Sequence, residues 1–193
     1  TYPFIWWDNL FTNSELDRMC AYFKTQGTER AKLGMGQVDT NVRISDIKFH
    51  ERNTETDWIF DRLNAGIAAI NDSFYGLELN GYDRIQYGEY HAKDNGKYDW
   101  HMDMGLGTSY IERSADFFQT RKLSISLLLN EPGKDFEGGE LEFNTGDINK
   151  PAVAEVRRGR IIAFPSFMIH RVTPITKGTR KSLVVWCLGP KFQ

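Results

Sequence analysis

His101 and Asp103 stand two residues apart in the run GKYDWHMDMG (96–105). Alternate side chains of a strand project to the same face, so this pair could grip one cation from adjacent positions. A lone His-x-Asp also recurs by chance in unrelated chains, where it is an ordinary wet strand face. The rest of the chain decides between the two. Downstream, in FPSFMIHRVTPITKGTRKSLVVW, His170 opens another strand-like run, and Arg180 and Ser182 follow ten and twelve residues later. Two imidazoles and a carboxylate on one side of a first-row divalent metal leave three positions open. An α-keto acid can occupy two of them, and dioxygen the third. The far carboxylate of such an acid then needs a cation inside an apolar barrel. Arginine suits this because it stays charged and binds carboxylate through a planar fork. Ser182, on the same strand face as Arg180, could add a hydroxyl donor.

These side chains must be carried by short strands. From about residue 80 the chain reads as β-formers punctuated by Gly, Pro, Asn and Asp: DRIQYGEY, KYDWHMD, RKLSISLLLN, GELEF, AVAEV, RIIAF, IHRVT and KSLVVWCL. In RKLSISLLLN, Leu123, Ile125, Leu127 and Leu129 alternate with Ser124, Ser126 and Leu128, the mark of a strand with two unlike faces. Two helices are predicted upstream. Thr12 and Glu15 are spaced as a capping box ahead of Leu16, Met19, Cys20 and Phe23. A second helix runs through TDWIFDRLNAGIAAINDSF, with Ile59, Leu63, Ile67, Ile70 and Phe74 as its stripe and Gly66 as a weak point. Both stripes read as core. The expected fold is mainly β with a helical flank: a double-stranded β-helix of the jelly-roll, cupin-like type over 80–193, braced by a helical support region over 1–79, in one catalytic domain, 1–193. The pattern-free stretch 104–120 is expected to be a mobile lid beside the metal strand.

Composition narrows the classes. A 40% hydrophobic and 13% aromatic content can bury a sizeable core. A net charge of -2, with no long Lys or Arg run, argues against a nucleic-acid partner. Cys20 and Cys187 lack metal-type spacing and read as buried free thiols in a reducing compartment. No apolar run approaches the ~20 residues a membrane helix needs. The first residues, TYPFIWWDNL, have neither signal-peptide form nor an initiator Met, so a trimmed start and a soluble, cytoplasmic protein are expected.

The ordered set of motifs resembles the 2-oxoglutarate- and Fe(II)-dependent oxygenases, more narrowly the prolyl 4-hydroxylases and the bacterial PKHD-type hydroxylases. YG...GKYDWHMD is similar to the Tyr-Gly...Gly-x-Tyr-x-x-His-x-Asp run of prolyl hydroxylases, EGGELEF to their Gly-Gly hairpin, and HRVTPITKGTRKSLVVW to the PKHD-type C-terminal motif. The resemblance spans roughly residues 58–186. It implies that His101, Asp103 and His170 bind Fe(II) and that Arg180 holds the C5 carboxylate of 2-oxoglutarate. It places Tyr87 against the co-substrate, with Tyr90 as competitor for that role, because extra residues (EYHAKDN) separate the two halves of the first motif. Tyr98 and Trp186 match positions lining the entrance for the target residue. Leu128 stands where many relatives have a tyrosine, so one hydrogen bond to the co-substrate is missing or comes from Ser124, Ser126 or Ser182. The implied cofactors are Fe(II), 2-oxoglutarate and O₂, with ascorbate as an optional accessory. The implied partner is a protein or peptide substrate hydroxylated at proline, with a free amino acid or other small metabolite as the alternative.

A competing class is a non-catalytic, cupin-like module whose metal is structural or binds a sugar or carboxylate; such barrels host many functions. Arg180 separates the two, since a simple metal site needs no buried cation ten residues past its last ligand. His50 and His91 are expected to be solvent-exposed or locally hydrogen-bonded, Gly138 and Gly139 to form a tight turn, and Lys177 to be wet.

Overall fold

The computed structural model describes residues 2–33, 38–104 and 119–190. Helix α1 (Asn13–Gln26) starts at the expected box: the Glu15 amide donates to Thr12 Oγ1 at 3.3 Å and the Thr12 amide donates to Glu15 Oε2 at 2.8 Å. It buries Leu16, Met19 and Phe23. Helix α2 (Asp57–Ile70) buries Ile59, Leu63, Ile67 and Ile70 from the predicted stripe, and its chain runs on through a wider turn over Asn71–Tyr75. Gly66 is more than a weak point there. A Cβ at this position would lie 2.7 Å from Leu10 Cδ2, so the missing side chain admits Leu10.

The strands are β1 (Ile5–Trp7), β2 (Glu29–Arg30), β3 (Arg43–Ile44), β4 (Asp46–Glu51), β5 (Arg84–His91), β6 (Lys97–His101), β7 (Gln119–Leu128), β8 (Phe136–Gly138), β9 (Leu141–Phe143), β10 (Ala152–Ala154), β11 (Ile161–Pro165), β12 (His170–Val172) and β13 (Ile175–Pro190). They form two antiparallel sheets: β1-β11-β7-β13-β5-β4-β2, with β8 paired to β13, and β10-β9-β12-β6-β3. This is the jelly-roll fold. The expected division at residue 79 does not hold in detail, because β1, β2, β3 and β4 come from the supposedly helical region and join both sheets. β1, β2 and β3 are too short for alternation to announce them, and β4 sets only Ile47 and Phe49 among charged residues and a histidine; pairing with neighbours is what makes them strands.

The strands β5, β7, β11 and β13 of the larger sheet divide their residues between two cores. Leu123, Ile125 and Leu127 of β7, Ile85 and Tyr87 of β5, and Leu183, Val185 and Cys187 of β13 pack with α1 and α2. The opposite face contributes Tyr90, Leu128, Ile162 and Phe164 to a second cluster, with Leu141, Phe143 and Val172 from the smaller sheet. Cys20 is half-buried, Cys187 is buried, and both are free thiols. Among the described residues no helix is long and apolar enough to cross a membrane.

Candidate metal centre and its cleft

His101 ends β6 and His170 begins β12, and the two are direct partners across the smaller sheet. Their rings lie 4.1 Å apart, and Asp103 reaches both: Oδ1 is 3.6 Å from His101 Nε2, and Oδ2 is 3.7 Å from His170 Nε2. One ligand atom from each of the three residues falls within 4.8 Å of the others. The outer ring nitrogens are committed elsewhere. His101 Nδ1 lies 2.7 Å from the Asp99 carbonyl, and His170 Nδ1 lies 2.9 Å from the Met168 carbonyl. A carbonyl only accepts, so each Nδ1 carries the proton and each Nε2 presents a lone pair to the centre, as the backbone-anchored histidines of metal sites do. Burial acts to raise the Asp103 pKa, but His170, His101 and a hydrogen bond from Ser124 hold it well below the usual carboxylate range. Burial lowers the His170 pKa to about 4, with Asp103 opposing and His101 assisting, so the ring is neutral near pH 7. An ionised carboxylate and a neutral imidazole lone pair are the forms a cation needs.

A cleft opens beside this group between the two sheets. The larger sheet lines it with Gln86 and Tyr90 of β5, Ser126 of β7, and Arg180, Ser182, Val184 and Trp186 of β13. Arg180 is 2% exposed. Its Nη1 donates to Ser182 Oγ at 3.3 Å, its Nε has no hydrogen-bond partner among the described residues, and its Cζ lies 5.8 Å from the Tyr90 ring. Among the described residues no carboxylate comes within ion-pair distance of it. Burial pushes its pKa down, yet a guanidinium stays charged. A buried charge left in this state demands an anion. The donor set and the orphaned guanidinium therefore fit Fe(II) and a dicarboxylic α-keto acid together.

The other expected site residues separate cleanly. Tyr98 lines the cleft and stacks on His101 with ring centroids 3.4 Å apart. Trp186 lines it too, with its Nε1 buried and unpartnered among the described residues and Arg121 Cζ 4.0 Å from the centroid of its ring. Tyr87 does not reach the cleft, contrary to expectation. Side chains of β5 alternate, so Gln86 and Tyr90 face the cleft while Tyr87 faces the helices. It is fully buried there, stacked on Phe23 at 5.0 Å, and donates to Glu89 Oε1 at 2.6 Å. Leu128 lies in the cleft-side cluster opposite Ser182 in register. Ser124 bonds Ser166 at 2.9 Å, which leaves Ser126 and Ser182 as the serines lining the cleft.

Smaller expectations also meet the structure. Lys177 is exposed and pairs with Glu137 at 2.9 Å. His91 is locally bonded, 3.0 Å from Thr179 Oγ1. His50 is the exception: it is 6% exposed and packs 4.8 Å from Phe23. Gly138 and Gly139 have φ of 75° and 71°, as a tight turn requires, but Gly139 also makes room. A Cβ there would lie 2.9 Å from Arg180 Cδ and 2.4 Å from Ile175 Cδ1. Of the expected lid, residues 105–118 lie outside the described residues. Sequence reasoning overlooked Arg43 and Gln86 as lining residues. For Gln86 the signal was present, since it shares the period-two face of Tyr90; for Arg43 there was none.

Known proteins match this arrangement. Residues 85–188 match the model of the 2OG-Fe(II) oxygenase superfamily. A PKHD-type hydroxylase of Acidovorax ebreus is 37% identical over 119 residues, covering 62% of this chain and 45% of that protein. One from Idiomarina loihiensis is 33% identical over 165 residues, covering 84% of this chain and 65% of that protein. The chain thus spans less than two thirds of the length of these curated relatives. In fold it is similar to a prolyl-4-hydroxylase of Pseudomonas putida (TM-score 0.72, 19% identity, 99% of this chain and 94% of that one). It is also similar to a Trichoplax adhaerens prolyl hydroxylase in complex with a hypoxia inducible factor peptide fragment (TM-score 0.75, 16% identity, 98% and 84%). With the family model covering more than half of it, the chain belongs to the 2OG-Fe(II) oxygenase superfamily.

Proposed function

We propose that the protein is an Fe(II)- and 2-oxoglutarate-dependent oxygenase that hydroxylates a C–H bond, with a prolyl residue of a protein or peptide as its leading substrate. The observation that carries the reading is Arg180, a buried cation with no carboxylate partner among the described residues, in the same cleft as a converging His-Asp-His set. A non-catalytic metal module would have no use for that charge. His101, Asp103 and His170 would hold the iron, which supplies the redox chemistry of oxygen activation when bound. Arg180 would receive the far carboxylate of 2-oxoglutarate through its fork, with Ser182 alongside. The backbone carbonyls of Asp99 and Met168 keep both imidazoles in the ligating tautomer. Phe164, Leu141 and Val172 exclude water around the reacting centre. Tyr98 and Trp186 would border the substrate entrance, where flat aromatic walls suit a rigid proline ring.

The test is consumption of 2-oxoglutarate and formation of succinate by protein supplied with Fe(II), O₂ and ascorbate in a reducing, cytoplasm-like buffer, followed by mass spectrometry of proline-containing peptides. Succinate that requires Fe(II), with one oxygen gained on proline, is the expected result. No Fe(II)-dependent loss of 2-oxoglutarate would reject the oxygenase reading. Turnover with free amino acids alone would replace the peptide substrate by a small one.

A further inference from the structure

We infer that the substrate carries a carboxylate and that Arg43, on the wall of the cleft opposite Arg180, receives it. This rests on the oxygenase reading and adds the charge of the substrate to it. Arg43 is 6% exposed and lines the cleft from β3 of the smaller sheet, in register with Tyr98. Its Cζ lies 4.5 Å from the centroid of the Tyr98 ring, which itself stacks on His101 at 3.4 Å. The guanidinium is therefore two ring layers from a metal-ligand imidazole, within reach of a molecule whose reacting carbon sits at the metal.

Among the described residues its charge is not met. Nε donates to Ser45 Oγ at 2.8 Å, a neutral acceptor that leaves both Nη groups free to bind. Among the described residues no carboxylate lies within ion-pair distance of Arg43. Asp99 turns one carboxylate oxygen to the Trp100 amide, and Asp103 is engaged with the two histidines. Contact with the Tyr98 face offsets part of the cost of burying the cation, but a face of a ring does not replace a counter-ion. Once Arg180 is matched by the far end of 2-oxoglutarate, Arg43 is the cation that remains among the described residues lining the cleft. The matching group is the α-carboxylate of a free amino acid, or the acidic side chain or C-terminus of a peptide next to the hydroxylated residue. The chemistry is the same in both. A merely structural role, bracing Tyr98 against His101, predicts no dependence on substrate charge.

The experiment loads the protein with Mn(II) and 2-oxoglutarate without oxygen and follows binding by thermal shift and titration. One arm compares free L-amino acids with their amides, proline first. The other compares proline-containing peptides carrying Asp or Glu beside the proline with their Asn or Gln counterparts. The acid member of a pair is expected to bind at least about tenfold more tightly than its neutral match. That preference should fall towards unity in Arg43→Gln and return in part in Arg43→Lys. A response in the first arm identifies a small substrate, and in the second a peptide. Equal binding of acid and neutral members, a preference that survives Arg43→Gln, or no binding of any carboxylate in either arm overturns the inference. Should Arg43→Gln fail to fold, the wild-type comparison and Arg43→Lys still decide it. Binding of 2-oxoglutarate is measured in the same samples: its absence defeats the oxygenase reading, whereas its presence without acid preference defeats only this inference.

Discussion

Arg180 and Tyr87 differ in what a strand position does to a side chain. Arg180 faces the cleft with a buried Nε that has no partner among the described residues, while Nη1 donates to Ser182 Oγ. Lysine there keeps the charge but loses the bidentate geometry. Arg180→Lys should weaken 2-oxoglutarate binding by about one to two decades, the worth of one charge-assisted contact (~1.5–3 kcal/mol), as read by titration with Mn(II) in place of iron. Unchanged affinity would remove Arg180 from the proposed site. Tyr87 points the other way, into the helix-side core, and its hydroxyl donates to Glu89. Tyr87→Phe should cost about 1 kcal/mol of stability and leave 2-oxoglutarate affinity alone. A marked loss of affinity with unchanged stability would return Tyr87 to the cleft.

At the scale of elements, β13 and the hairpin before it act as one device. The strand presents Arg180, Ser182, Val184 and Trp186 to the cleft and Leu183, Val185 and Cys187 to the helices. The turn at Gly138 and Gly139 crosses over the Arg180 stem with positive φ and no side chain. Gly139→Ala should therefore strain the turn and press on Arg180 Cδ together. The expected outcome is a loss of about 1–3 kcal/mol in denaturant unfolding and weaker 2-oxoglutarate binding. Loss of stability without any change in binding would mean that the glycine serves only the turn. The alternation that organises β7 and β13 was visible in their residues because each strand is long and has one apolar face. In β1 and β3 it was not, since two or three residues do not establish a period.

At the scale of the whole molecule, His50 is a pH-sensitive group away from the cleft. His50 of β4 is packed against α1 beside Phe23 and Tyr22, and its Nε2 is buried without a partner among the described residues. Burial, helped by Lys48, lowers its pKa from 6.5 to about 4. An unfolded chain binds the proton at the higher pH, so the folded state has its full stability from this group above about pH 6.5. That contribution drains away as the pH falls towards 4. Wild-type protein should lose about 1–2 kcal/mol from His50 between pH 7.5 and 5, and His50→Leu should flatten that part of the profile. Parallel profiles for the two proteins, measured by chemical denaturation, would show that His50 does not titrate in this range.

Local patterns determined much of this protein. The capping box at Thr12, the two apolar helix stripes, the strand-rich second half and the spacing of His101, Asp103, His170 and Arg180 are all relations between near neighbours or within an ordered motif. Only the tertiary structure decided what depends on which strands become neighbours. Pairing β12 with β6 brings His170 opposite His101, although 69 positions separate them in the chain. The register of β5 against β13 sets Tyr90, not Tyr87, beside Arg180. The short β3, joined to the edge of the smaller sheet, carries Arg43 into the cleft. A period of two specifies that residues share a face, but not which face a sheet turns inward. That is set by where the helices cover the sheet and the second sheet closes on it.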